Sequence, residues 1–429
     1  MPRAALGVAA ACIALLAVAR LHEPAYQDAP ADRSSAPVAT PPGITLQLRT
    51  ITKRVRVATV AQCVYADARG MSLYTLDKNA APGVSDCTGD CATAWPAALA
   101  PPTAKSDAVW SLHQRADGSR QWVLRGEPLY RFANDKEIGD TSGDGIDGVW
   151  HAAVFRPDAG VALPDGIAVA DIADAGGAGL VDSLGMTLYL ANADAAPAAP
   201  ACGAPACARL WTPLQAPAIA NAIGEFSVLA RSDGISQWTF RGKALYRFEG
   251  DRKPGDVNGL GIDSGLRAAL IVRYFMPADA VIRRTLEFGS ILSTSSGATL
   301  YQRDRVTGEQ ELHQFRTDHG SPVLGRSFGT ATCDVRCARD WPPFIAPAGA
   351  LPRGFWDIAV RSDGRRQWVF KGFALYTYTA DKPGETGGNG HYTLQAIDAP
   401  PAGAGPHAPV SGAAAGAGLG AMFWHAVVP

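Results

Sequence analysis

One stretch of the chain is written three times, at residues 115–135, 231–251 and 361–381. Every copy has Asp-Gly, then Gln-Trp, then a glycine and Leu-Tyr, at unchanged spacing. Asp-Gly between two alternating runs is a strong signal for a β-hairpin, because glycine accepts positive φ without strain. The second strand of each hairpin reaches a glycine-centred turn and continues, which predicts a three-stranded antiparallel meander. The repetition therefore predicts an all-β protein built from three tandem homologous units.

The surroundings of each copy extend the repeat to residues 55–157, 168–277 and 288–398. In each unit a cysteine pair precedes a tryptophan by four residues, and a proline follows, which predicts a short helix at each cysteine pair. An early Gly-x-x-Leu-Tyr turn matches the late one, so we expect a two-fold repeat inside each unit. The third unit differs by a polar insertion around residues 306–319, and insertions on a fixed scaffold often carry specificity.

Large aromatic rings recur at fixed positions in the three units. Rings at fixed places in a β unit usually pack in its core, so we expect the hairpin tryptophans to be buried beside the Leu-Tyr tyrosines. These residues are Trp122, Trp238 and Trp368, and Tyr130, Tyr246 and Tyr376. Trp122 is expected to share a strand face with Leu124, because residues two apart point to the same side. An exposed row of rings would instead indicate an aromatic ligand platform.

The first residues are typical of a secretory signal. Residues 1–19 have a charged start, a short apolar run and a small-residue exit, so we expect cleavage after them. An uncleaved N-terminus, or one lipidated at Cys12, would attach the protein to a membrane instead. Residues 20–54 are rich in Ala and Pro and predict a flexible linker.

The last residues predict a strand that is supplied from a distance. Residues 399–420 are almost wholly Ala, Gly and Pro and predict a second linker. Residues 421–429 contain Phe423-Trp-His-Ala-Val, which resembles Val149-Trp-His-Ala-Ala at the end of the first unit. We expect this tail to close the third unit, with residues 391–397 displaced to its edge or paired beside it.

The end of each repeated stretch fits the pattern Tyr-x-[Phe/Trp/Tyr]-x-x-Asp. The positions are Tyr130, Phe132 and Asp135, then Tyr246, Phe248 and Asp251, then Tyr376, Tyr378 and Asp381. Together with the cysteine pairs, this pattern resembles the bacterial secreted-repeat family of predicted lipoproteins named for that motif. The resemblance covers nearly the whole mature chain. It implies a secreted or envelope protein, and the family has no settled function.

The paired cysteines predict a local disulfide in each unit. The pairs are Cys87–Cys91, Cys202–Cys207 and Cys333–Cys337, and an exported protein favours oxidation. A redox or metal site is the alternative, but redox-active pairs usually have two intervening residues, and no histidine recurs beside these cysteines. Cys63 has no partner in the repeat and is expected to stay a buried thiol.

One acidic loop raises the question of a metal. Asp140, Asp144 and Asp147 have a spacing that suits Ca²⁺, which prefers several carboxylates from one tight loop. The corresponding loops of the other units carry fewer acids, so a glycine-rich turn is the alternative. No other cofactor is expected.

The remaining features favour a binding or structural module over an enzyme. No nucleophile, zinc or phosphate-loop motif is present, and we assign no catalytic residue. The motif aspartates could act as catalysts, but an acid at a strand end more often caps the next turn. A net charge of -1 gives no field that would select nucleic acid. The expected partner is an envelope protein or a small ligand, in the periplasm or outside the cell. A Ca²⁺-dependent module and a periplasmic redox protein are the alternatives.

Overall fold

The computed structural model describes residues 36–53, 58–77, 81–191, 209–260, 262, 266–306, 333, 336–361, 363–396 and 419–429. Within these residues the chain forms antiparallel β-ladders with two short α-helices, so the predicted all-β class is confirmed. No helix in this part of the chain is long and apolar enough to cross a lipid bilayer.

The first unit opens with a long hairpin and closes with a strand beside the early tyrosine. Its elements are β1 (Ile44–Lys53), β2 (Ala58–Asp67), β3 (Tyr74–Leu76), α1 (Asp90–Ala94), β4 (Trp110–Gln114), β5 (Arg120–Leu124), β6 (Glu127–Pro128) and β7 (Trp150–Ala152). β1 pairs with β2, β3 pairs with β7, and β4, β5 and β6 form the predicted meander. Trp110 lies opposite Leu124, and Leu112 lies opposite Trp122.

The second unit repeats this plan. Its elements are β8 (Ile167–Ile172), β9 (Gly177–Asp182), β10 (Tyr189–Ala191), β11 (Trp211–Pro213), β12 (Phe226–Ala230), β13 (Ser236–Phe240), β14 (Lys243–Phe248), β15 (Leu266–Ala268) and β16 (Leu270–Arg273). β8, β9 and β16 form one sheet, and β10 lies between β14 and β15 in another.

The third unit has the same order with one added strand. Its elements are β17 (Ala280–Thr285), β18 (Gly289–Thr294), β19 (Tyr301–Val306), α2 (Cys337–Asp340), β20 (Trp356–Val360), β21 (Arg366–Phe370), β22 (Phe373–Ala374), β23 (Tyr392–Ala396) and β24 (Leu419–Ala426). β24 lies between β19 and β23, and Trp424 is fully buried. β24 thus lies where the expected closing strand of the third unit would be, and β23 pairs beside it.

Two predicted boundaries are wrong because each unit begins with a hairpin. Part of the linker expected over residues 20–54 is instead ordered structure. Residues 44–53 form β1, and residues 36–43 lead into that strand. The alternation of Ile44, Leu46 and Leu48 is a strand pattern, and it outweighs the Pro-rich composition before it. The first unit therefore begins at Ile44 rather than residue 55, and the third at Ala280 rather than residue 288.

The repeated rings of each unit lie in two separate clusters of buried side chains. Trp122, Leu124 and Leu129 lie in one cluster, whereas Tyr130 packs with Trp150 in another. The other two units separate their hairpin tryptophan and Leu-Tyr tyrosine in the same way. Burial of these rings is confirmed, but the expectation that they lie side by side is wrong. Alternation along the strand sends adjacent residues to opposite faces.

The N-terminal segment ties the three units together. Ala39 donates its N–H to the carbonyl of Arg273 at 2.8 Å, and Leu46 donates to that of Gly354 at 2.8 Å. The indole of Trp110 donates to the carbonyl of Ala39 at 3.3 Å. Buried side chains of the first two units also form one continuous hydrophobic cluster. The segment thus contacts all three units.

Candidate functional site

The aspartate that ends each motif binds the tyrosine of the early turn in the same unit. Tyr74 begins β3 and donates its hydroxyl to Asp135 Oδ2 at 2.6 Å. Tyr189 donates to Asp251 Oδ2 at 2.7 Å, and Tyr301 donates to Asp381. The two partners are 61 and 62 residues apart in the first two units and 80 apart in the third. The bond therefore joins the early and late halves of the unit.

The second carboxylate oxygen holds the loop that follows the motif. Asp135 Oδ1 accepts the N–H of Ser142 at 3.1 Å, and Asp251 Oδ1 accepts that of Asn258 at 2.8 Å. Both aspartates are almost completely buried. The expected role of these acids in capping the next turn is thus present in two units, together with the tyrosine bond that the sequence did not indicate.

The same loop brings a glycine against the rings of each unit. A Cβ on Gly143 would lie 2.8 Å from Trp95 Cη2, and one on Gly259 would lie 2.6 Å from Trp211 Cη2. Gly388 stands equally close to Trp341. None of the three has positive φ. These glycines are needed for space rather than for conformation.

Packed aromatic rings lie against each of these glycines, and in the first and third units they include a stacked pair of tryptophans. Trp95 stacks on Trp150 with centroids 3.8 Å apart, and Trp341 stacks on Trp424 at 3.9 Å. In the second unit Leu266 stands where β7 has Trp150, and Trp211 packs against Phe248 at 4.7 Å instead. Aromatic pairs in such contacts add roughly 0.5–1.5 kcal/mol beyond burial.

The bonded tyrosines are held in their protonated form. Burial raises the pKa of Tyr74, Tyr189 and Tyr301 well above the ordinary value, and the bond to the aspartate raises each further. Burial also raises the pKa of Asp251. A phenol that stays protonated at neutral pH, and that donates its hydrogen bond to an internal carboxylate, suits a structural role better than proton transfer to a substrate.

The acidic loop of the first unit uses its carboxylates on the backbone. Asp140 Oδ2 accepts the N–H groups of Lys136 and Glu137 at 2.7 and 2.9 Å, and Asp144 Oδ1 accepts that of Ala152 at 2.9 Å. Asp147 is exposed. No group of three or more His, Cys, Asp or Glu side chains able to hold an ion occurs in the described parts of the chain. Asp140 and Asp144 thus each use a carboxylate oxygen to hold the loop backbone.

The cysteine pairs close small loops against the helices. Cys87–Cys91 and Cys333–Cys337 are disulfides with Cα atoms 5.2 and 5.1 Å apart, as predicted. Cys202–Cys207 lies outside the described residues. Among the described cysteines Cys63 is free and half-buried, and burial raises the pKa of its thiol. A raised pKa disfavours the thiolate that redox chemistry needs.

A buried glutamine joins the hairpin to the Leu-Tyr turn in every unit. Gln121 accepts from Arg115 Nη1 at 2.8 Å and donates to the carbonyl of Leu129 at 2.8 Å. The second and third units repeat both bonds with Gln237 and Gln367. The repeated polar residues of the stretch are thus used inside the unit.

One charged residue near the site was not expected from the sequence. Arg49 on β1 donates to the carbonyl of Gly70 at 2.8 Å, and burial lowers its pKa to about 10. The nearby Tyr74, Asp135 and Asp140 act in the opposite direction. Arg49 lies in the stretch assigned to the linker, where the alternating apolar residues were the signal of a strand.

The first and second units each have a groove beside the motif arginine. A cavity of about 180 Å³ is lined by Arg131, Phe132 and Asp135, and one of about 400 Å³ by Pro213 and Arg247. Each arginine faces a carboxylate, with Arg131–Asp67 at 3.8 Å and Arg247–Asp182 at 2.7 Å. Because each cation is paired, the grooves present no large net charge.

Comparison with known proteins identifies the repeat. A family model described as a secreted repeat of unknown function matches residues 64–99, 111–154 and 227–266. The first two matches cover the early and late halves of the first unit, and the third covers the late half of the second. These parts of the first two units are thus similar to the secreted repeat that the motifs suggested. No curated protein and no solved structure matches the chain.

Proposed function

We propose that this chain of secreted repeats is a non-enzymatic structural and binding module of the cell envelope. The observation that carries the proposal is the Tyr–Asp bond that recurs in every unit, buried in the first two and partly buried in the third. The acid of the motif is engaged by the fold on both oxygens in two of the three units. Its repetition therefore reflects a repeated need to join two half-units rather than a repeated reaction.

Export is the second part of the proposal. Residues 1–19 would direct the chain out of the cytoplasm, and oxidised cysteine pairs suit an oxidising compartment. Surfaces that differ between the units would bind the envelope protein or small ligand. The grooves at Arg131 and Arg247 are examples, since the third unit has Thr377 at the same position.

Cell fractionation and mass measurement test the location. An epitope placed within residues 399–418 leaves the buried tail intact. We expect the tagged chain in the envelope or periplasmic fraction, starting near residue 20, with Cys63 as its only thiol that can be alkylated without reductant. Recovery from the cytoplasm with the paired cysteines reduced would contradict the proposal.

Stability measurements test the non-enzymatic role. If Asp251 serves the fold, Asp251→Asn should lower the free energy of unfolding by about 1–3 kcal/mol, because it weakens a buried bond to an ionised group. Asp147→Asn is the matched control, since that carboxylate is exposed and asparagine tolerates its positive φ. Catalytic acids are often retained at a cost to stability. An Asp251→Asn chain that is more stable than wild type would therefore favour an enzyme.

A further inference from the structure

The third unit obtains its closing strand from the end of the chain, although a local strand is available. In the first unit β7 follows the glycine loop directly. In the third unit the chain after Gly390 enters β23, which lies one place further out, and β24 takes the position of β7. The local segment His391 to Ile397 contains no tryptophan to stack on Trp341. In this unit the slot is therefore filled by a strand that arrives from a distant part of the chain.

The slot is fully built to receive that strand. Gly390 donates its N–H to the carbonyl of Trp424 at 2.9 Å, and Asn389 Oδ1 accepts the N–H of Ala426 at 2.9 Å. Gly145 and Asp144 make the same two bonds to β7 in the first unit. Beyond β24, Val427 exchanges backbone bonds with Leu292 and Leu300 at 2.8 and 3.0 Å. None of these contacts requires the strand to come from the same molecule.

The connection to β24 is much longer than a local closure needs. Ala396 at the end of β23 lies directly opposite Leu419 at the start of β24. A β-hairpin joins such neighbours with about 2–5 residues, yet the 22 residues 397–418 separate them here. Fully extended, a segment of that length spans roughly 70 Å. The surplus length lets the tail reach beyond its own unit.

We propose that the slot of one molecule accepts the β24 tail of a second copy, so that two chains exchange tails reciprocally. The same contacts form in the monomer and in the exchanged dimer, so the balance is set by the protein concentration relative to the effective concentration of the tethered tail. From its length and its Ala, Gly and Pro composition, the linker is expected to hold its own tail at an effective concentration of about a millimolar. Exchange should therefore appear when the local protein concentration approaches that value, as in a crowded envelope.

A loop-shortened variant tests the proposal with every contact retained. Replacing residues 397–418 by Asn-Gly joins β23 to β24 as a tight hairpin and prevents the tail from leaving. Sedimentation equilibrium of both mature chains, up to roughly millimolar concentration, should show a reversible dimer for the wild type and a monomer for the variant. The proposal would be overturned if both chains stayed monomeric, or if both formed dimers of equal strength.

A complementation experiment tests the slot itself. A chain ending at residue 418 should bind a fluorescent peptide of residues 419–429. The same peptide with Trp424→Ala should bind at least about 100-fold more weakly, since removing a buried tryptophan is among the costliest core changes. The loop-shortened chain should not bind either peptide. Equal binding of the two peptides to the truncated chain, or binding to the loop-shortened chain, would contradict a specific strand slot.

Discussion

Replacing Gly388 by alanine should destabilise the third unit for a reason that can be measured from the structure. The added Cβ would lie 2.8 Å from Tyr301 Cζ and 2.9 Å from Trp341 Cη2, whereas carbon atoms in contact are about 3.5–4.0 Å apart. Neither ring is free to move away. Trp341 is stacked between Trp424 at 3.9 Å and Tyr378 at 4.3 Å, and the hydroxyl of Tyr301 is bonded to the motif aspartate.

The expected loss follows from that confinement. Overpacking of a rigid core costs about 1–3 kcal/mol. Alanine also restricts the unfolded chain, which acts in the opposite direction by about 0.4–1 kcal/mol. Gly349→Ala isolates this second effect, because Gly349 is exposed, has no positive φ and has nothing within 4 Å of an added Cβ. We therefore expect Gly388→Ala to be less stable than Gly349→Ala by roughly 2 kcal/mol.

Urea unfolding followed by near-ultraviolet circular dichroism reports on the stacked tryptophans and is the suitable assay. The Gly388→Ala protein should unfold at lower urea with an unchanged slope, while the Gly349→Ala protein should match or slightly exceed wild type. If both variants unfold at the same midpoint, the rings yield to the extra carbon, and the spatial requirement for glycine is refuted.

Three further predictions concern the tyrosine bond and the tail. A double-mutant cycle of Tyr189→Phe and Asp251→Asn should give a coupling energy of about 1–3 kcal/mol in urea unfolding, and a coupling near zero would show that the bond contributes nothing. The raised pKa of the bonded tyrosines contributes stability that is complete below pH about 10 and is lost as the pH rises above it. The absorbance of these tyrosines at 295 nm, which reports their ionisation, should therefore change only when the protein unfolds. Ionisation of these tyrosines in the folded protein would contradict this prediction. Truncation after residue 418 removes the fully buried Trp424 and should cost several kcal/mol at about 25 cal/mol per Å², so an unchanged melting temperature would mean that the tail does not stabilise the unit.

The local structure of each unit could be predicted from the sequence because its signals are local. Asp117-Gly118 lies in the hairpin loop between β4 and β5. The two cysteines of the first pair, Cys87 and Cys91, are only four residues apart in the sequence. The docking of the tail was also predictable, because Trp424 repeats a strand sequence already present in the first unit. In each case one short pattern carries the information.

The long-range pairing could not be predicted in the same way. The motif gives no sign that Asp135 binds Tyr74, since the two residues lie 61 positions apart and either could serve another partner. Likewise, an arginine such as Arg49 is polar in the sequence but buried in the fold, because a backbone carbonyl and nearby acids compensate its charge. Such compensation depends on the assembled structure and not on any local pattern.

A comparison of the three units shows where the repeat tolerates change. Asp182 is almost fully buried, caps the turn at Met186 and pairs with Arg247. A buried carboxylate that loses its cation is costly, so one charge cannot be removed alone. In the third unit both charges are absent: Thr294 caps the same turn through its hydroxyl at 3.0 Å, and Thr377 replaces the arginine. Both members of the ion pair have thus changed together, whereas the Tyr–Asp bond is kept in every unit. We infer that the fold requires the Tyr–Asp bond, while the residues of the ion pair can vary from unit to unit with the contacts that each unit makes.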